Sequence, residues 1–304
     1  MTVRTYATPD AFRVALEAKL RKVANGSGAA FSRQRQLLVF DRFLARVANH
    51  FADAVILKGG LALEFRLERA RTTRDVDLRV MGRSSEGLLA ELQTCGQLVV
   101  GDHLVFEVQI DRSHPEIAGE GVEYDGKRFR VVCLLGGKPL ADPFGVDVVI
   151  AGAMHGEPDI FTAEDHLDFI GIPPPTLRVL PIGTHIAEKL HAFTLPRTRP
   201  NTRVKDLPDL ALLAAAQAHE ARDLRAALER TFNARGTHPL PKSLPLPPMD
   251  WSDEYERIAE ENELPWKSMG AAVAVASAFL EPVLREDFAA TWSPSTLTWV
   301  PTND

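Results

Sequence analysis

The sequence predicts an α+β fold, a mixed sheet flanked by helices and followed by a mainly α-helical C-terminal half. Two observations carry this reading. Between residues 54 and 150, short apolar or alternating runs bounded by glycine and polar residues intermingle with helix-length segments. Beyond about residue 175 the strand signals give way to helix-length amphipathic stretches. The expected organisation is an α/β domain over 1–180, opened by a helical segment, and a helical domain over 181–304.

The elements follow in order. Residues 9–24 read as an amphipathic helix ending near Asn25-Gly26. A second helix is expected from Ser32, as its N-cap, to about His50, with Leu37, Phe40, Phe43, Leu44 and Val47 spaced by three or four. Ala54-Val55-Ile56-Leu57 is too short for a helix and stops at Lys58-Gly59-Gly60, so it reads as a buried strand ending in a tight turn. Leu61–Leu67 begins a helix. Asp75–Val80 alternates as a strand, and Ser85–Cys95 is helical. Strands are expected at 103–111 and 121–134, the latter with Asp125-Gly126 as a hairpin turn, and at Gly145–Ile150. Leu177–Leu180 is a last strand. His185–Phe193, Asp206–Ala216 and Glu220–Asn233 are helices, residues 237–249 with five prolines are a linker or wrap, and 251–287 holds two more helices.

Composition narrows the function classes. With 45% hydrophobic and 25% charged residues the chain is an ordinary globular sequence, not a disordered one. A net charge of −6 excludes a uniformly basic nucleic-acid glove. The charge is uneven, however. Arg4, Arg13, Lys19, Arg21, Lys22, Arg33, Arg35, Arg42 and Arg46 face only Asp10, Glu17 and Asp41 within the first 50 residues. That segment is either a local phosphate-binding face or a solvated helix surface. Two cysteines without a CxxC encode neither a disulfide framework nor a zinc cluster. Without a membrane-length apolar stretch or a signal core, no membrane partner and a cytoplasmic location are expected.

The chemistry concentrates in Leu57-Lys58-Gly59-Gly60 and Arg74-Asp75-Val76-Asp77. Two glycines after a strand let backbone N–H groups approach an anion. One helix later, Asp75 and Asp77 share one face of a strand, because residues i and i+2 point the same way. Two such carboxylates repel each other and are reconciled by a divalent cation. A third, Asp147, interrupts the apolar strand Gly145–Ile150 and completes the set for a two-metal site. Its alternative is an edge-strand charge facing water. The donors are hard oxygens, the usual surroundings of Mg²⁺ with substrate phosphates, and the chemistry is phosphoryl or nucleotidyl transfer.

In KGGLALEFR (58–66), TTRDVDL (72–78), VDVVI (146–150), HIAEKLHAF (185–193) and RVKDLPDLALL (203–213), the chain resembles the AbiEii/AbiGii toxin family of the nucleotidyltransferase superfamily, which includes the MenT-type toxins of type IV-like toxin–antitoxin pairs. The resemblance implies a nucleotidyltransferase-like sheet and an NTP as substrate. It implies an RNA acceptor, the tRNA 3′ end, a block of translation, and a cognate antitoxin. It assigns Lys189 to the triphosphate, and Asp206 or Asp209 to orienting that lysine or the acceptor. Lys58, Gly59, Gly60 and Arg74 are the remaining nucleotide-binding candidates, with a salt-bridge or surface role as the alternative for Arg74. Catalysis falls to Asp75, Asp77, Asp147, Lys189, Asp206 and Asp209. The sequence departs from the superfamily at Leu61, where a phosphate-binding hydroxyl is usual. Two other readings remain open: transfer to a small molecule or protein hydroxyl, and a non-catalytic nucleotide-binding module.

Overall fold

The structure is a computed structural model describing residues 6–302, except residues 26, 68–71, 114, 120–121, 153–155 and 199. Arg4, Gly26 and residue 121 of the expected strand therefore lie outside the described residues. In chain order the elements are α1 (Pro9–Val23), α2 (Gly28–Phe51), β1 (Val55–Lys58), α3 (Gly59–Arg66), β2 (Asp75–Met81), α4 (Leu88–Gln97), β3 (Leu104–Ile110), β4 (Glu116–Gly119), β5 (Val122–Leu135), β6 (Lys138–Pro139), β7 (Phe144–Ala151), β8 (Asp159–Thr162) and β9 (Thr176–Val179). There follow α5 (Ile182–Thr194), α6 (Asp206–Ala216), β10 (His219–Glu220), α7 (Ala221–Arg235), α8 (Ser252–Glu261), α9 (Met269–Arg285), β11 (Ala290–Ser293) and β12 (Thr298–Pro301).

The chain divides into two compact units. The first comprises Met1–Lys58, Arg74–Ile117 and Tyr124–Val179, and the second Gly59–Thr73, Ala118–Glu123 and Leu180–Asp304. The short helix α3 thus belongs to the second unit although it follows β1 directly.

In the first unit the sheet runs β3-β5-β7-β2-β1-β9-β8. β2 pairs with β7, and β1 with β9, in parallel; β1–β2, β3–β5, β5–β7 and β8–β9 are antiparallel. The sheet is therefore mixed. Helix α2 covers it with an aromatic seam: Phe40 meets Phe144 with ring centroids 5.0 Å apart, and Phe43 meets Phe106 at 5.5 Å. These large rings are fully buried and make edge or tilted contacts, which add to the area they remove from water.

Three expectations need correction. Helix α2 starts four residues before Ser32, because Ser27 caps it by accepting a hydrogen bond from the Ala30 N–H at 3.3 Å. Asp125-Gly126 is not a turn. β5 runs straight through it, with Gly126 opposite Val149, since pairing with β7 outweighs the local turn preference. Part of the basic N-terminal segment is neither solvated nor free for phosphates. Arg46 is fully buried and forks onto Asp102 at 2.6 and 2.9 Å, and Arg42 is buried beside Asp41 and Asp102. Helix periodicity alone did not reveal that these positions face inward.

The second unit packs α5, α6, α7 and α9 around a shared apolar core. Helix α6 is buried on all sides, consistent with its unbroken Leu/Ala run. β10, β11 and β12 form a three-stranded sheet that the helical expectation for this half lacked. Trp292 on β11 is fully buried, and its indole N–H donates to the Ala214 carbonyl at 2.7 Å. Trp251 is buried as well, so these tryptophans are packing anchors. Among the described residues no helix is long and apolar enough to cross a membrane.

Candidate active site

β2 sorts its side chains by alternation. Val76, Leu78 and Val80 are buried on one face, which leaves Asp75 and Asp77 together on the other. The neighbouring strands extend this charged face. Asp147 on β7 stands in register with Asp77. Arg128 on β5 stands in register with Asp147, and Lys58 at the end of β1 with Asp77. Side chains in register share a face of the sheet. A row of four charges therefore crosses four strands: Arg128, Asp147, Asp77, Lys58. Sequence reasoning had three of them and missed Arg128, because only the β5–β7 register reveals it.

The next row is Arg130, Gly145, Asp75. Gly145 matters through what it lacks. A Cβ at this position would lie 2.6 Å from the Asp75 carboxylate oxygen, so only glycine leaves that carboxylate its place. The Gly145 N–H also hydrogen-bonds to it. Partial desolvation, followed by the charges of Asp77 and Asp147, raises the Asp75 carboxyl above the usual range; Arg128 and the Gly145 N–H pull it down.

Asp147 is held differently. Arg128 Nε and a terminal guanidinium nitrogen donate to its two oxygens, both at 2.6 Å. This bidentate fork raises the affinity of Arg128 for its proton still further. Asp75 and Asp77 thus fit a hard divalent cation by donor type, adjacency and mutual repulsion. Both oxygens of Asp147 are already engaged, and among the described residues no set of three acidic, histidine or cysteine side chains converges to ligate a metal.

The remaining predicted residues, Arg74 apart, belong to the second unit. Gly59 adopts φ +66°, a conformation that favours glycine, and with the buried Gly60 it forms the first turn of α3. The expected tight turn is thus a helix start, whose leading N–H groups have no partner within the helix. Leu61 is fully buried, so the position where the superfamily carries a hydroxyl serves the apolar core here. Arg66 donates to the Leu180 carbonyl at 2.6 Å. In the first unit, Arg74 is exposed just ahead of β2 and stands outside the charged row.

Lys189, on α5, meets both acids of the sequence alternative. Its ammonium lies 2.9 Å from Asp206 and 2.7 Å from Asp209, both in the first turn of α6. The carboxylates are 3% and 0% exposed, and the N-terminal end of the helix dipole favours them there. On the same helix as Lys189, His191 bonds to the Thr237 hydroxyl at 2.7 Å and packs against Phe232 and His238. Burial lowers His191 to about 4.

The family comparison gives the class of protein in which this charged row stands, a nucleotidyl-transferring one. The chain belongs to the AbiEii family, nucleotidyl transferase toxins of type IV toxin–antitoxin systems, whose model matches residues 42–278. No curated protein matches the sequence. Among solved structures, the chain is similar to MenT4, a nucleotidyltransferase toxin from Mycobacterium tuberculosis H37Rv, at 17% identity over 88% of each chain with a TM-score of 0.45. It is similar to JHP933 from Helicobacter pylori at 16% identity, over 82% of this chain and 93% of that one, with a TM-score of 0.46. A nucleotidyltransferase from H. pylori described as putative matches at 15% identity, over 85% and 96%, with a TM-score of 0.43.

Proposed function

We propose that the protein transfers a nucleotide from an NTP to an RNA acceptor, the tRNA 3′ end, and so blocks translation in the cytoplasm until a cognate antitoxin counters it. The observation that carries this reading is the acidic face of Asp75, Asp77 and Asp147 on adjacent strands, in a chain of a nucleotidyl transferase family. In the reaction, an acceptor hydroxyl oxygen attacks the α-phosphorus of the NTP. The new P–O bond replaces the bond to the β-phosphate oxygen, pyrophosphate leaves, and the hydroxyl proton passes to solvent.

Asp75 and Asp77 are the residues that would receive Mg²⁺, with Asp147 beside them held by Arg128. A bound Mg²⁺ supplies charge neutralisation at the triphosphate and acidifies the attacking hydroxyl. Lys58 adds a positive charge beside Asp77, and the N–H groups of Gly59 and Gly60 donate to phosphate oxygens. Lys189, whose ammonium Asp206 and Asp209 fix in one orientation, is the residue the family resemblance assigns to the triphosphate. Arg74 adds a peripheral cation for the nucleotide.

The test is label transfer. Purified protein is incubated with Mg²⁺, total RNA and each labelled NTP in turn. Label on RNA of tRNA size is the expected result, and Asp75→Ala abolishes it. A variant that labels RNA as well as the wild type does would remove the acidic face from the reaction. Label appearing only on protein or on added small hydroxyl compounds would replace the RNA acceptor while keeping the site.

A further inference from the structure

We propose that Arg128 occupies the role of a second metal ion, so that the acidic face takes up one divalent cation, on Asp75 and Asp77, while Asp147 stays bound to the guanidinium. This rests on the reading of that face as a metal site and narrows it.

Three observations converge on Arg128. The first is position. The row Arg128–Asp147–Asp77–Lys58 is fixed by strand register, so Arg128 is delivered to Asp147 by the backbone pairing of β5 with β7 rather than by a chance rotamer. The second is geometry. Both carboxylate oxygens of Asp147 accept from one planar fork at 2.6 Å, and its side chain is only 14% exposed. A cation that ligated Asp147 would have to break two charge-assisted hydrogen bonds, among the stronger kinds in proteins. Lysine would offer a point charge in this position; arginine offers a matched, permanently charged partner.

The third observation is charge. The three carboxylates and the guanidinium bound to one of them carry two formal negative charges, which a single divalent ion matches. A second divalent ion would place two more positive charges within a few ångströms of the guanidinium, where repulsion at short range is costly. Lys58, at the far end of the row, then remains as excess positive charge facing the triphosphate. The device differs from a second metal in one functional respect. A guanidinium does not dissociate, so Asp147 is neutralised at any metal concentration.

Counting bound Mn²⁺ tests this without reference to activity. Free Mn²⁺ is measured by electron paramagnetic resonance as the nucleotide-free protein is titrated with it. Wild type is expected to bind one ion per chain. Arg128→Gln releases Asp147, and is expected to gain a second ion or to bind the first at least tenfold more tightly. Arg128→Lys keeps a charge opposite Asp147, and is expected to stay at one ion; it serves as the folded comparison should the glutamine variant fail to fold. Asp77→Asn is expected to weaken binding at least tenfold. Two ions on wild type overturn the proposal and leave the metal site standing. An unchanged count and affinity in Arg128→Gln also overturn it. If wild type and Asp77→Asn are alike in binding no Mn²⁺, the acidic face is not a metal site, and both readings fall.

Discussion

Gly145 gives Asp75 its position, and the consequence can be measured. A methyl group there would lie 2.6 Å from the carboxylate oxygen, so the carboxylate must swing aside while the strand stays paired. Gly145→Ala is therefore expected to melt close to wild type. Label transfer should fall about a hundredfold, the scale set by an ångström of misplacement at a reacting centre. A variant of full activity would show that the place of Asp75 is not critical. His191 makes a second expectation at this scale. Burial holds its folded-state value at about 4, below its ordinary 6.5, so the unfolded chain binds more protons between those two pH values. Its contribution to stability is complete above about pH 6.5 and is lost as the pH falls toward 4. Melting temperatures at pH 5 and 7.5 should differ less in His191→Gln than in wild type; an equal difference would place the acid sensitivity elsewhere.

At the scale of elements, Lys189 ties α5 to α6. Its two carboxylate partners lie in one helical turn and are almost wholly enclosed. Lys189→Ala takes their shared cation from both carboxylates, while Asp206 keeps Arg203 at 3.8 Å, a loss of about 3–5 kcal/mol by analogy with broken buried pairs. Restoring neutrality with Asp206→Asn and Asp209→Asn is expected to recover most of it. Urea midpoints followed by tryptophan emission measure both changes, and a shift below about 0.5 kcal/mol for Lys189→Ala would mark an ordinary surface lysine. The same trio shows what could be read from sequence. Asp206 and Asp209, one helical turn apart, were both candidates, and the structure brings both to Lys189. The face shared by Asp75 and Asp77 followed from strand alternation alone. What escaped was whatever depends on partners distant in sequence. The Arg128–Asp147 fork is a matter of register, the room above Gly145 is a matter of a neighbouring strand, and the burial of Arg42 and Arg46 depends on Asp102. The misplaced turn at Asp125-Gly126 has the same origin, since a local preference gave way to pairing along β7.

Across the whole molecule, the mixed sheet of one unit carries the acidic face and the helical unit carries Lys189 with its acids. Helix-length patterns made much of the second unit legible, but not β11 and β12, short strands around Trp292 and Trp299 beyond the last expected helix. Cys95 and Cys133 are both buried in the first unit, and burial raises both thiols, Cys95 to about 12. Native protein is thus expected to leave a thiol-reactive dye uncoloured for many minutes, and urea to release two equivalents of colour. Prompt reaction without denaturant would contradict the buried positions. The four tryptophans, residues 251, 266, 292 and 299, all belong to the other unit. Nature has thereby installed two optical reporters that never overlap: indole glow follows one half of the chain, and sulfur chemistry the other. A single cuvette can tell whether the halves come apart in one event or in succession, with no label attached.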